Sequence, residues 1–100
     1  MPNVIVWSRP GCHLCDLAEA ELARLADAAP DSRTFSVISR NVDDDADRRA
    51  RFTDLVPVIQ VGDEVIAELT AHPDALARAL DQVGLGPEPR ETATRRWWRR

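Results

Sequence analysis

The chain has 100 residues, 44% of them hydrophobic and 30% charged, which suits one globular domain with a single core and leaves no room for two. Its formal net charge of −4 is unevenly placed: residues 1–86 carry 8 Arg against 15 Asp and Glu, a net of −7, whereas residues 87–100 carry 5 Arg against 2 Glu, a net of +3. An acidic body argues against nucleic acid as the main ligand, and no apolar run approaches the roughly 18 residues of a membrane span. Met1-Pro2-Asn3 leads straight into an apolar run without the basic and small-residue marks of a secretory leader, so the expected compartment is the cytoplasm.

Val4-Ile5-Val6-Trp7 is a continuous β-branched and aromatic run, the pattern of a strand covered on both faces, and is expected at the centre of a sheet. Ser8 to Gly11 form a turn around Pro10-Gly11. Leu14, Leu17, Ala18, Leu22 and Leu25 then recur at helical spacing and predict an amphipathic helix over about 13–28, stopped by Ala29-Pro30-Asp31. Thr34 to Val42 reads as a second strand, parallel to the first because a helix joins them. Asp43-Asp44-Asp45 should cap a short helix reaching about Phe52, with Arg48, Arg49 and Arg51 toward its negative end. Val58 to Val61 and Glu64 to Leu69 flank the hairpin turn Gly62-Asp63. A last helix opens between Thr70 and Asp74, takes Pro73 in its first turn, buries Leu76, Leu80 and Val83, and stops at Gly84.

The expected fold is therefore α/β, in the order β-α-β-α-β-β-α, with a central mixed sheet flanked by helices. Residues 1–86 form the domain. Residues 87–100 lack periodicity and end Arg95-Arg96-Trp97-Trp98-Arg99-Arg100, the composition of a disordered basic Trp/Arg tail.

Both cysteines of the chain, Cys12 and Cys15, fall where the first strand gives way to the first helix. Three residues apart, they lie one turn apart on one helical face and can close a short disulfide ring or face a common reactant. Unpaired N–H groups and the positive dipole end at a helix start stabilise a thiolate, the reactive form of cysteine. In a reducing compartment such a lone pair is more naturally redox-active than structural. Two structural thiols, or half of a zinc site built from Cys12, His13, Cys15 and His72, are the competing readings. Zinc prefers four ligands in tetrahedral array, which adjacent Cys12 and His13 serve poorly.

The stretch Trp7-Ser8-Arg9-Pro10-Gly11-Cys12-His13-Leu14-Cys15 resembles the glutaredoxin pattern, and Val56-Pro57-Val58-Ile59 resembles the V-P-x-I segment that follows it in those proteins. The likeness is strongest to small bacterial glutaredoxin-like proteins of the thioredoxin superfamily and covers residues 3 to about 83. It implies a thioredoxin fold, a cis Val56–Pro57 bond beside the cysteines, and a Val56 backbone that pairs with a bound peptide or glutathione like an added strand. Thiol chemistry then makes Cys12 the attacking thiolate and Cys15 the resolving thiol. Arg9 is the candidate contact for a glutathione carboxylate and a second source of positive potential, and His13 can stabilise the thiolate when protonated or simply lie exposed.

The resemblance breaks after the hairpin. Glutaredoxins usually carry Gly-Gly and an acidic residue there for the glutathione γ-glutamyl group, whereas this chain reads Ile66-Ala67-Glu68-Leu69-Thr70. Glutathione is thus a candidate reductant without a clear subsite, and a disulfide-bearing protein, a glutathione mixed disulfide and a thioredoxin reductase-type electron donor are the expected partners. The expected protein is a monomeric dithiol oxidoreductase with no tightly bound cofactor or metal. A different class of function, a non-enzymatic thioredoxin-fold adaptor or redox-sensing binding protein that holds its partner through the cationic tail, fits the Trp-Arg segment.

Overall fold

The computed structural model describes residues 2–52 and 54–87. The elements run β1 (Asn3–Ser8), α1 (His13–Ala28), β2 (Ser36–Asn41), a 3-10 turn (Val42–Asp44), α2 (Ala46–Phe52), β3 (Val58–Val61), β4 (Glu64–Glu68) and α3 (Pro73–Gln82). They form one four-stranded sheet in the order β2-β1-β3-β4. β1 pairs parallel with β2 and antiparallel with β3, which pairs antiparallel with β4. The central position expected for the first strand is the one it takes.

Its lack of alternation has a direct cause, because both faces of β1 are covered. Val4 and Val6 point to one side and are fully buried with Ile59 of β3, Ala18, Leu22 and Leu25 of α1, and Leu76 and Leu80 of α3. Each leucine buried in this way contributes about 1.5–3 kcal/mol of transfer free energy. Trp7 points to the other side and packs with Val42, Phe52 and Val58, with Ile5, Leu55, Val56 and Val65 around them. Buried Gln60 removes the polar cost of that cluster: the Trp7 indole N–H donates to its Oε1 at 2.9 Å, and its amide donates to the Gly62 carbonyl at 2.7 Å. The Arg48 guanidinium of α2 closes the cluster, 5.4 Å from the Trp7 ring centroid and 5.8 Å from that of Phe52.

Several details differ from the sequence expectation, among them the end of β4, which stops at Glu68 and not Leu69. β2 is shorter than Thr34–Val42, because the Thr34 hydroxyl turns back to donate to the Ala26 carbonyl at 3.0 Å and the Asn41 side chain accepts from the Asp43 N–H at 2.8 Å, starting the 3-10 turn. The aspartate run does not cap a single helix. Asp43 and Asp44 lie in the 3-10 turn, and Asp45 alone caps α2 by accepting from the Arg48 N–H at 3.0 Å. In α1 the buried positions are Cys15, Ala18, Leu22 and Leu25, whereas Leu14 and Leu17, expected inward, are 38% and 48% exposed. Cys15 occupies the place on the buried stripe that leucine was expected to fill, and Leu14 and Leu17 sit about 60° and about 120° from the centre of that stripe. The tail expected over 87–100 lies almost wholly outside the described residues.

Candidate functional site

Strand register brings four connections to one end of the sheet. Ser8 lies opposite Asn41, Trp7 opposite Val58, and Val58 opposite Glu68. The loop leaving β1, the turn leaving β2, the Val56–Pro57 approach to β3 and the exit from β4 therefore share that end.

The loop from β1 to α1 is a tight turn. The Cys12 N–H donates to the Arg9 carbonyl at 3.2 Å, Pro10 fills the second position, and Gly11 at φ +77° fills the third. That is the type II turn, which needs a positive φ at its third residue and therefore glycine there. Cys12 follows in extended conformation as the N-cap of α1. Its Sγ accepts the Cys15 N–H at 3.1 Å, as a serine oxygen does at other helix starts. Cys12 and Cys15 form a disulfide with their Cα atoms 5.2 Å apart. Cys12 is partly exposed, and Cys15 is only 1% exposed, held on the core side of the helix.

The remaining candidates take simple positions. Arg9 is exposed at the first position of the turn and His13 is exposed at the first position of α1, so the two flank Cys12 along the chain. Pro57 is buried, Val56 is partly buried, and the bond between them is cis. Asp16 is exposed on the outer side of α1, away from the Cys15 stripe. Gln60 is the buried polar residue among the described ones, so no buried carboxylate among them serves Cys15.

The competing zinc arrangement is not assembled. No group of three or more His, Cys, Asp or Glu among the described residues could hold a metal ion. His72 instead caps α3, where its Nδ1 accepts the Asp74 N–H at 3.2 Å and Pro73, lacking an N–H, begins the helix.

Two features escaped the sequence. Leu14 and Leu17 of α1 stand exposed, where the helical spacing alone assigned them inward. Leu69 has a left-handed backbone, φ +57°, and its N–H is shared between the Leu55 and Pro57 carbonyls at 3.2 and 3.0 Å. No local signal marks Leu69 for this, because the conformation is imposed by a loop a dozen residues away.

A mixed four-stranded sheet with helices on both faces and a C-x-x-C disulfide at the start of the first helix defines a domain of the thioredoxin superfamily. The sequence profile of the glutaredoxin-like domain (DUF836) matches residues 3–81, and the chain belongs to that family. Among solved structures it resembles the X-ray structure of protein XcR50 from X. campestris, with 28% identity over 79% of this chain and 96% of that one and a TM-score of 0.61. It also resembles the solution structure of protein Ne2328 from Nitrosomonas europaea, at 24% identity over 77% and 88% of the two chains and a TM-score of 0.64. Oxidised mitochondrial thioredoxin 3 from Saccharomyces cerevisiae shares the fold at 22% identity, covering 81% and 77% with a TM-score of 0.58. None of the curated proteins matches the chain in sequence. Family, fold and the disulfide-bonded pair together support a redox function. No helix of the described residues is long and apolar enough to cross a membrane.

Proposed function

We propose that the protein is a cytoplasmic dithiol thiol–disulfide oxidoreductase. In the reduced protein the Cys12 thiolate attacks one sulfur of a substrate disulfide; that S–S bond breaks, a mixed disulfide forms, and the leaving sulfur takes a proton. Cys15, as its thiolate, then attacks the Cys12 Sγ, the second substrate thiol departs, and two electrons have passed to the substrate as the Cys12–Cys15 disulfide forms. The observation that carries this reading is the helix start: a backbone N–H already aims at the Cys12 Sγ at 3.1 Å, and Cys15 is buried one turn behind it. That donor, the helix dipole and Arg9, joined by His13 when it is protonated, favour negative charge on Cys12 over Cys15.

Val56 and Pro57 form the wall against which a substrate backbone lies, at the sheet end they share with Cys12. No tightly bound cofactor is needed, since the electrons reside in the dithiol. Glutathione or a thioredoxin reductase-type donor restores it, and the substrate is a disulfide-bearing protein or a glutathione mixed disulfide. The test measures reduction of both substrate types with each electron source. Cys12→Ser should abolish turnover, and Cys15→Ser should accumulate a mixed disulfide on Cys12, visible by mass spectrometry. Undiminished turnover by the Cys12→Ser protein refutes the mechanism.

A further inference from the structure

The large hydrophobic residues exposed among the described ones are Leu14, Leu17 and Leu69. Leu14 and Leu17 are three apart in α1 and so are neighbours on one helical face, which continues through Glu21, Arg24 and Ala28 to the end of the helix. On that face Arg24 donates to the Glu21 carboxylate and neutralises it. With Asp16, Glu19 and Asp27 on its other sides, α1 as a whole carries four carboxylates against one arginine. The face is thus apolar near the start of an acidic helix.

The position at which the described chain ends supplies an occupant. The Gly86 N–H donates to the Arg33 carbonyl at 2.9 Å, and the Arg33 side chain donates through Nε to the Gly86 carbonyl at 2.8 Å. Thr34, the next residue, is bonded to Ala26 in the last turn of α1. Pro87 therefore leaves from beside the far end of that helix. Eleven residues, 87 to 97, span at most about 36 Å when extended, whereas Leu17 and Leu14 lie only about 14 and about 18 Å along the helix axis from Ala26. Residues 87–100 carry a net +3 and residues 1–86 a net −7.

We propose that Arg95-Arg96-Trp97-Trp98-Arg99-Arg100 of the same chain docks on this face of α1, with its indoles on Leu14 and Leu17 and its guanidinium groups among the carboxylates of the helix. Tryptophan gives a large apolar contact, and the arginine stems extend it while their heads stay in water. Tethering sets a local concentration on the order of millimolar, so the segment meets its own helix before it meets another copy. An anionic lipid surface is a poorer partner, because binding there would draw the acidic body against like charge. The inference goes beyond the oxidoreductase reading and does not depend on it.

The experiment is methyl NMR of the full oxidised chain at low salt, with the Leu14 and Leu17 signals assigned from Leu14→Val and Leu17→Val variants. An indole ring seated on a leucine moves its methyl signals upfield, and both leucines should show that shift, unchanged on dilution. The Trp97→Ala, Trp98→Ala double variant should lose it, while the signals of buried Leu22 and Leu80 stay in place and report an intact fold. About 1 M NaCl, which cuts the screening length to about 3 Å, should reduce the shift. Identical Leu14 and Leu17 signals in the full chain and the double variant would overturn the proposal. So would a shift that fades on dilution, which marks a second copy as the donor, or phosphatidylglycerol vesicles that bind the chain while both leucines stay unshifted without them.

Discussion

At its C-terminal end α1 buries Leu22 and Leu25 against β1 and α3, and the segment that follows the helix is tied both to it and to the end of α3. The Thr34 hydroxyl bonds the Ala26 carbonyl, and Arg33 donates to the Gly86 carbonyl at 2.8 Å, the Leu85 carbonyl at 3.1 Å and the Asp81 carboxylate at 2.7 Å. At its N-terminal end the same helix exposes Leu14 and Leu17 and carries the disulfide, with Cys15 alone reaching the core. One element therefore keeps its stabilising contacts and its reactive sulfurs at opposite ends. A dithiol that opens and closes during turnover can do so where little packing energy depends on it, while the far end fixes the helix against the sheet.

Substitutions along α1 test that division. Leu22→Ala, in the fully buried stretch, should lose about 2–5 kcal/mol of unfolding free energy through lost transfer energy and the cavity left behind. Denaturant titration of the oxidised protein measures it. Arg33→Ala removes charge-assisted bonds from a partly exposed site, so solvent screening reduces the effect to about 1–2 kcal/mol by the same titration. Leu17→Ala should change stability by less than about 0.5 kcal/mol, since nearly half of its side chain is already in water. A Leu17→Ala loss as large as that of Leu22→Ala would erase the distinction between the two ends.

Much of the fold was legible because hydrophobic periodicity is a short-range signal. The run at Val4–Trp7, the helix over 13–28, the Gly62-Asp63 hairpin and Pro73 in a first turn all emerge from neighbours along the chain. The helical count failed at Leu14 and Leu17 because it scored leucine as inward and left cysteine out, although cysteine is among the most buried residue types. Gln60 reads as a polar strand residue, and only the fold supplies the Trp7 indole that makes its burial favourable. Of the site, the Cys12–Cys15 pair and its turn were legible because Pro10-Gly11 dictates a type II geometry locally. The left-handed Leu69 was not, since its conformation depends on carbonyls of Leu55 and Pro57 that are distant in sequence.

The central claim is that the helix start makes Cys12, and not Cys15, the nucleophile. Alkylation of the reduced protein with iodoacetamide across pH, followed by peptide mapping, tests it most directly. Cys12 should be modified first, with a rate that rises through a midpoint below the roughly 8.5 of an ordinary cysteine thiol, while buried Cys15 lags behind it. Cys15 modified first, or both cysteines modified at equal rates with an ordinary midpoint, would contradict the account.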